Sequence, residues 1–191
     1  MEPPNVFLVG PRASGKTSLG RMLAGRLGRP FTDADEAVVG ALGASIADFV
    51  AASGWRRFRD KETAVLRRLC RQGGQVVACG GGVVLRAANR RLLGSGIVIS
   101  LRADPLVLAG RLAKDPNAAQ RPSLTGRPLL DEVAEVVAAR EPLYTACADL
   151  VLPAGAELAA LVELAAAFVA GRERSRGRGD GKDSHPTERS T

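Results

Sequence analysis

Gly10-Pro11-Arg12-Ala13-Ser14-Gly15-Lys16-Thr17 has the form GxxxxGKS/T, set between the apolar run Val6-Phe7-Leu8-Val9 and a helical pattern over Lys16 to Leu27. A strand before and a helix after are the context that a phosphate-binding loop requires. Successive backbone N–H groups in such a loop face one concavity, and the helix behind it adds the positive end of its dipole. Lys16 can then reach the outer phosphates of a nucleoside triphosphate, and the Thr17 hydroxyl can ligate Mg²⁺.

Short apolar runs recur along the chain at Val6 to Val9, Phe31-Thr32 before Asp33, Val76 to Cys79, Ile97 to Leu101 and Leu150 to Leu152. Between them, Lys16 to Leu27, Ser45 to Ala52, Trp55 to Arg71, Pro105 to Lys114, Asp131 to Ala146 and Glu157 to Ala170 show helical spacing or Ala-rich composition. Ser45-Ile46-Ala47-Asp48 reads as a capping-box-like start, and Asp104-Pro105 places a good cap before a proline at the first helical position. Alternating strands and helices predict a three-layer α/β sandwich around a five-stranded parallel sheet, with its ligand crevice at the carboxyl ends of the strands. Aromatic residues make up only 4% of the chain, so the core is expected to be Ala, Val and Leu.

The 191 residues fit one domain, expected over residues 1–170. Residues 115–128 hold three prolines and a glycine and read as a mobile lid. After Gly171 the sequence is polar and charged and is expected to be a disordered tail. That tail has six Lys or Arg against four Asp or Glu, so most of the formal charge of +7 lies elsewhere. No aromatic residues interleave with it to stack bases, which favours small anionic ligands over a polynucleotide. Cys70, Cys79 and Cys147 form no CxxC pair, and the single histidine, His185, sits in the tail, so no zinc site is expected. The start MEPPNVFLVG lacks a basic n-region and no apolar run reaches membrane-spanning length, from which a cytoplasmic location is expected.

A phosphate loop alone does not separate ATPases, GTPases and small-molecule kinases. The third strand ends in Gly80-Gly81-Gly82 and not in the acidic residue that often helps hold Mg²⁺. Three glycines leave a backbone free of Cβ atoms that can lie against a ligand or simply make a tight turn. Asp33-Ala34-Asp35, after the second strand, offers a replacement: on an extended segment Asp33 would face a metal and Asp35 a second substrate. Arg59 and Glu62 are three apart on a helix and share a face, with Trp55 and Phe58 beside them, a pairing that serves a salt bridge as well as a site.

The ordered set GxxxxGKS/T, DxD, FRxxE, GGG, RPxLTG and RxxLY resembles the shikimate kinase family from about Val6 to Leu152. The resemblance implies a nucleoside-monophosphate-kinase-like P-loop fold and transfer of the ATP γ-phosphoryl group to the 3-hydroxyl of shikimate, a step of aromatic amino-acid biosynthesis, with Mg²⁺ as cofactor. Carried over by motif, Asp35, Lys16 and Arg121 are catalytic, with Asp35 taking the proton. Gly10, Ser14, Gly15, Lys16, Thr17, Ser18, Arg111 and Arg121 would bind ATP. Asp35, Arg59, Gly80, Gly81, Gly82 and Arg140 would bind shikimate, Arg59 and Arg140 gripping its carboxylate and Glu62 holding Arg59. Thr17 and Asp33 would bind the metal. The expected partners are ATP and shikimate, with no nucleic acid, no membrane, and a monomeric chain.

Two features depart from the pattern. The loop Pro153-Ala154-Gly155-Ala156 lacks an arginine that some family members use near adenine, and a second Arg-Pro pair at Arg127-Pro128 leaves the lid register open. Another small-molecule kinase of the same fold, for gluconate or nucleotides, explains the loop and lid but not Arg59, the glycine run and Arg140 together. A nucleotide-gated regulatory or nucleic-acid-binding module is the reading from a different class.

Overall fold

β1 (Val6–Val9) has no exposed side chain on either face, the condition of a strand at the centre of a parallel sheet covered on both sides. A computed structural model, describing residues 2–114 and 128–179, surrounds it with β2 (Phe31–Asp33), β3 (Val76–Ala78), β4 (Ile97–Arg102) and β5 (Leu150–Pro153). All four neighbouring pairs are parallel, and the order is β2-β3-β1-β4-β5. Because β2, β3 and β1 are adjacent and parallel, their carboxyl ends lie side by side. Asp33 pairs with Ala78 in register, and the chain leaves those ends as Asp33-Ala34-Asp35, Gly80-Gly81-Gly82 and the Gly10 loop.

Side chains alternate across the sheet. Val6 and Leu8 join the layer of α1 (Lys16–Leu27) and α7 (Leu158–Gly179), where Leu19, Leu23, Leu161, Ala165 and Val169 bury. Phe7 and Val9 join the opposite layer, with Phe58, Leu66 and Leu69 of α3 (Ile46–Arg71), Leu93 of α4 (Ala87–Leu93) and Tyr144 of α6 (Leu129–Cys147). A third, smaller cluster joins α5 (Pro105–Ala113) to α6 through Leu108, Leu112 and Val133.

The helix starts follow their sequence signals. The Ser45 hydroxyl accepts the Asp48 N–H at 3.1 Å and donates to the Asp48 carboxylate at 2.7 Å, and the Asp104 side chain accepts the Leu106 N–H at 2.8 Å. The two predicted helices on either side of Gly54 form one element, broken where Gly54 takes φ 78°, a conformation that costs glycine little and other residues more.

Three elements differ from expectation. α2 (Ala34–Leu42) is a helix absent from the sequence reading, although Ala34, Ala37, Val38 and Leu42 form an apolar face packed on the core. α4 has seven residues, too few for periodicity to register. α7 does not stop near Ala170 but continues to Gly179, so the expected tail boundary at 171 falls inside a helix. Its extension needs no apolar burial: Arg172 pairs with Asp149, Glu173 with Arg29 at 2.5 Å, and Arg176 donates to the Gly96 carbonyl at 3.2 Å. The expected lid lies, except for Pro128, outside the described residues, as does the tail beyond Gly179. Arg56, Arg57, Lys61, Arg67, Arg68 and Arg71 are exposed on the outer face of α3, so ligand-facing arginines account for only part of the positive charge. Among the described residues no single helix is long and apolar enough to cross a membrane.

Candidate active site

The phosphate loop leads from the buried β1 into α1, whose first residues follow Gly15 at φ 93°. A cavity of about 670 Å³ opens above it, lined by Ser14, Gly15, Lys16, Thr17 and Ser18 of the loop and helix, and by Asp33, Arg111, Ala154 and Leu158 across from them. Lys16 curls over its own loop, its Nζ donating to the carbonyl oxygens of Gly10 at 3.0 Å and Pro11 at 2.7 Å. The Thr17 hydroxyl donates to Asp33 Oδ2 at 3.0 Å, while Asp33 Oδ1 accepts the Asp35 N–H at 2.9 Å and so caps α2. Arg111, from α5, donates to the carbonyl oxygens of Ala13 and Ala154, each at 3.2 Å, and ties the loop to the segment after β5. Arg121 lies outside the described residues.

A second, smaller cavity of about 140 Å³ lies between α3, α6 and the glycine run. Arg59 and Glu62 meet in it at 2.7 Å with both side chains largely buried. The Arg59 guanidinium stands 5.2 Å from the ring centres of both Trp55 and Phe58, which contact each other edge to face at 5.6 Å. Burial pushes the Glu62 carboxyl above its ordinary range, Arg59 pulls it part of the way back, and Asp35 pushes it up further. Across the cavity, Arg140 Nη1 donates to the Gly81 carbonyl at 3.1 Å, and the buried Tyr144 hydroxyl donates to the same oxygen.

The glycine run is more than a turn. A Cβ on Gly80 would stand 2.5 Å from Asp35 Oδ1, and one on Gly82 would overlap the Arg59 guanidinium. The side chains of α2 and α3 therefore occupy the space that any other residue at these positions would claim. Asp35 itself is in the first turn of α2 and not on an extended segment, a correction to the sequence reading. Asp33 and Asp35 diverge because Asp33 turns back to cap the helix, while Asp35 lines the cavities.

Arg12, Asp35 and Gly81 line both cavities, so the two adjoin there. All the described residues singled out from sequence line one cavity or the other except Gly10, whose carbonyl holds Lys16. Sequence reasoning gave no role to Arg12 or to Tyr144, although both stand inside motifs it quoted. The apolar wall of the small cavity, with Ile46, Leu108, Leu112 and Val133, carries no motif at all. Cys79 lies beneath the loop, fully buried, with its thiol pushed up by burial, while Cys70 and Cys147 are partly buried, and all three are free.

No group of three or more His, Cys, Asp or Glu among the described residues could hold a metal by itself. The Thr17 hydroxyl and Asp33 carboxylate are an oxygen-only pair, which fits Mg²⁺, a cation that keeps several waters and takes its remaining ligands from phosphates.

The model of the shikimate kinase family matches residues 12–169. A shikimate kinase of Nitratidesulfovibrio vulgaris is 48% identical over 166 residues, covering 86% of this chain and 95% of that one. Among solved structures, a shikimate kinase from Acinetobacter baumannii in complex with shikimate superposes with a TM-score of 0.82 at 31% identity, covering 90% of this chain and 95% of that one. A gluconokinase from Sinorhizobium meliloti reaches a TM-score of 0.58 at 22% identity over 96% of this chain and 98% of that one, a likeness of fold alone.

Proposed function

Since this chain belongs to the shikimate kinase family, we propose that it transfers the γ-phosphoryl group of ATP to the 3-hydroxyl of shikimate, giving shikimate 3-phosphate and ADP. The observation that carries this reading is the small cavity, with Arg59 and Arg140 about the glycine run and Asp35 where it adjoins the phosphate cavity. Shikimate has one planar carboxylate and three hydroxyls, and planar guanidinium groups with a carboxylate acceptor suffice to recognise them. Gluconate also carries a carboxylate and hydroxyls, so what favours shikimate over it is the family match together with this lining.

In the mechanism, Arg59, fixed by Glu62 and the two aromatic rings, and Arg140 hold the substrate carboxylate. Asp35 accepts hydrogen bonds from the hydroxyls and takes the proton of the 3-hydroxyl as its oxygen bonds to the γ-phosphorus and the bond to the β-phosphate oxygen breaks. Lys16 exchanges the carbonyl oxygens of Gly10 and Pro11 for phosphate oxygens, a stronger, charge-assisted partner. Arg111 walls the nucleotide side, and Arg121 contributes a further positive charge. Thr17 and Asp33 would hold Mg²⁺, which supplies charge neutralisation to the phosphates when bound. The chain acts as a monomer, without nucleic acid.

ADP release from ATP and Mg²⁺, measured with shikimate, gluconate or a nucleoside monophosphate as acceptor, tests the reading. Strong stimulation by shikimate alone is expected. Equal stimulation by gluconate overturns it.

A further inference from the structure

Arg59 and Arg140 are held by different means. Arg59 has a buried carboxylate partner in Glu62, whereas Arg140 makes no ion pair among the described residues and is held by the Gly81 carbonyl and the Tyr144 hydroxyl beside it. That carbonyl is also the acceptor for Tyr144, which stands one helical turn after Arg140 on the same face of α6. We propose that Tyr144 is a positioning residue for the acceptor: its hydroxyl fixes the Gly81 peptide and, through that shared oxygen, sets where Arg140 stands over the small cavity.

Four observations support this role. Tyr144 is 1% exposed and its ring packs in the core cluster with Val84 and Leu93, so its hydroxyl has a defined location. Burial pushes its pKa up to about 12, which keeps it a protonated donor across the working pH range. Pro142, between Arg140 and Tyr144, has no N–H to give the helix, so α6 makes one fewer backbone hydrogen bond where these two side chains reach the Gly81 oxygen. Finally, Gly81 lines the small cavity beside Arg59 and Arg140, so an error in its orientation is felt where the substrate carboxylate is held.

The proposal rests on the reading of the small cavity as the shikimate site. Its test is Tyr144→Phe, which removes one oxygen and keeps the ring. The shikimate KM should rise about tenfold with kcat within about twofold and the ATP KM unchanged, the signature of lost ground-state positioning. With the methyl ester of shikimate as acceptor, which lacks the anionic carboxylate, the difference between wild type and variant should vanish. Combined with Arg140→Met, the substitution should add little, because both act through one contact.

An unchanged shikimate KM, an equal penalty on the ester, or full additivity with Arg140→Met overturns the proposal. Should Tyr144→Phe not fold, incorporation of a trifluorotyrosine at 144 keeps ring and hydroxyl but lowers the phenol pKa. The shikimate KM should then climb with pH while the ATP KM stays flat, and two flat profiles overturn the proposal. Wild-type enzyme that shikimate does not stimulate overturns the underlying reading and the proposal together. Stimulated wild type with an indifferent variant overturns the proposal alone.

Discussion

The two cavities are built in opposite ways. The phosphate side comes largely from one stretch of chain, residues 10–18, in which backbone and a single lysine do the binding, and that lysine rests on neutral carbonyl oxygens of its own loop. The acceptor side is assembled from α2, α3, α6 and the end of β3, and there Arg59 is already set against a buried charge, Glu62, while Arg140 rests on the Gly81 carbonyl oxygen. A cation on carbonyl oxygens is readily drawn off by phosphate, whereas a buried ion pair holds its geometry without ligand. The Arg59 side of the acceptor site is thus preformed, and the phosphate site is completed by the nucleotide.

The largest expected effect tests whether the two sides are independent. Lys16→Ala should lower kcat by roughly a thousandfold or more, yet leave shikimate binding, followed by the fluorescence of Trp55 against Arg59, unchanged. A shifted shikimate titration would join what the comparison separates. Asp35→Asn comes next, since Asp35 lines both cavities: kcat should fall by about a hundredfold or more at saturating substrates, with weakened but measurable shikimate binding.

Arg59→Lys should raise the shikimate KM by about tenfold and spare the ATP KM, because an ammonium cannot make the planar two-point contact or fill the space between Trp55 and Phe58. Its partner predicts a pH dependence. Burial raises the Glu62 carboxyl above 4.5, so it is protonated, and Arg59 loses its counter-charge, at a pH above that of an ordinary glutamate. The acid limb of kcat/KM for shikimate should accordingly begin above pH 4.5. For stability the sign is reversed: the raised carboxyl favours folding fully below its unfolded pKa and loses that contribution as pH rises through the folded one. Glu62→Gln should therefore hold or raise Tm at pH 7 while weakening shikimate binding.

The smallest effect concerns the far layer. A chain ending at Gly171, compared with one ending at Gly179, loses Arg172, Glu173 and Arg176 and should melt a few degrees lower, about 1–2 kcal/mol. Because α7 packs with α1 on the face of the sheet away from the small cavity, its shikimate KM should not change. A changed shikimate KM would show that the two layers are coupled.

What could be read from the chain alone follows the same division. The phosphate loop, the strands, Ser45 and Asp104 are local signals, in which residues close in sequence determine the outcome. α2 is nine residues that start inside the Asp33-Ala34-Asp35 motif, α4 is seven, and both are short for periodicity to register. The order of motifs brought Arg59, Gly80 and Arg140 into one site through a family likeness, but no pattern announces that a tyrosine hydroxyl and an arginine share the Gly81 carbonyl, since every residue has a carbonyl. The end of α7 was misread because ion pairs to distant partners, Asp149 and Arg29, order it in place of apolar burial.

β1 carries a consequence for how this enzyme loosens. Its four side chains are 0% exposed, and it pairs along both edges, with β3 and β4. Amide protons there can exchange with solvent only when the domain opens as a whole, while β2 and β5 at the rims can open in smaller events. The phosphate loop is hinged directly to that slowest-exchanging strand, and α2 and α3 follow the rim strand β2. Partial opening at the β2 rim therefore loosens α2, which carries Asp35, before the nucleotide loop, while α3 stays packed against Phe7 and Val9.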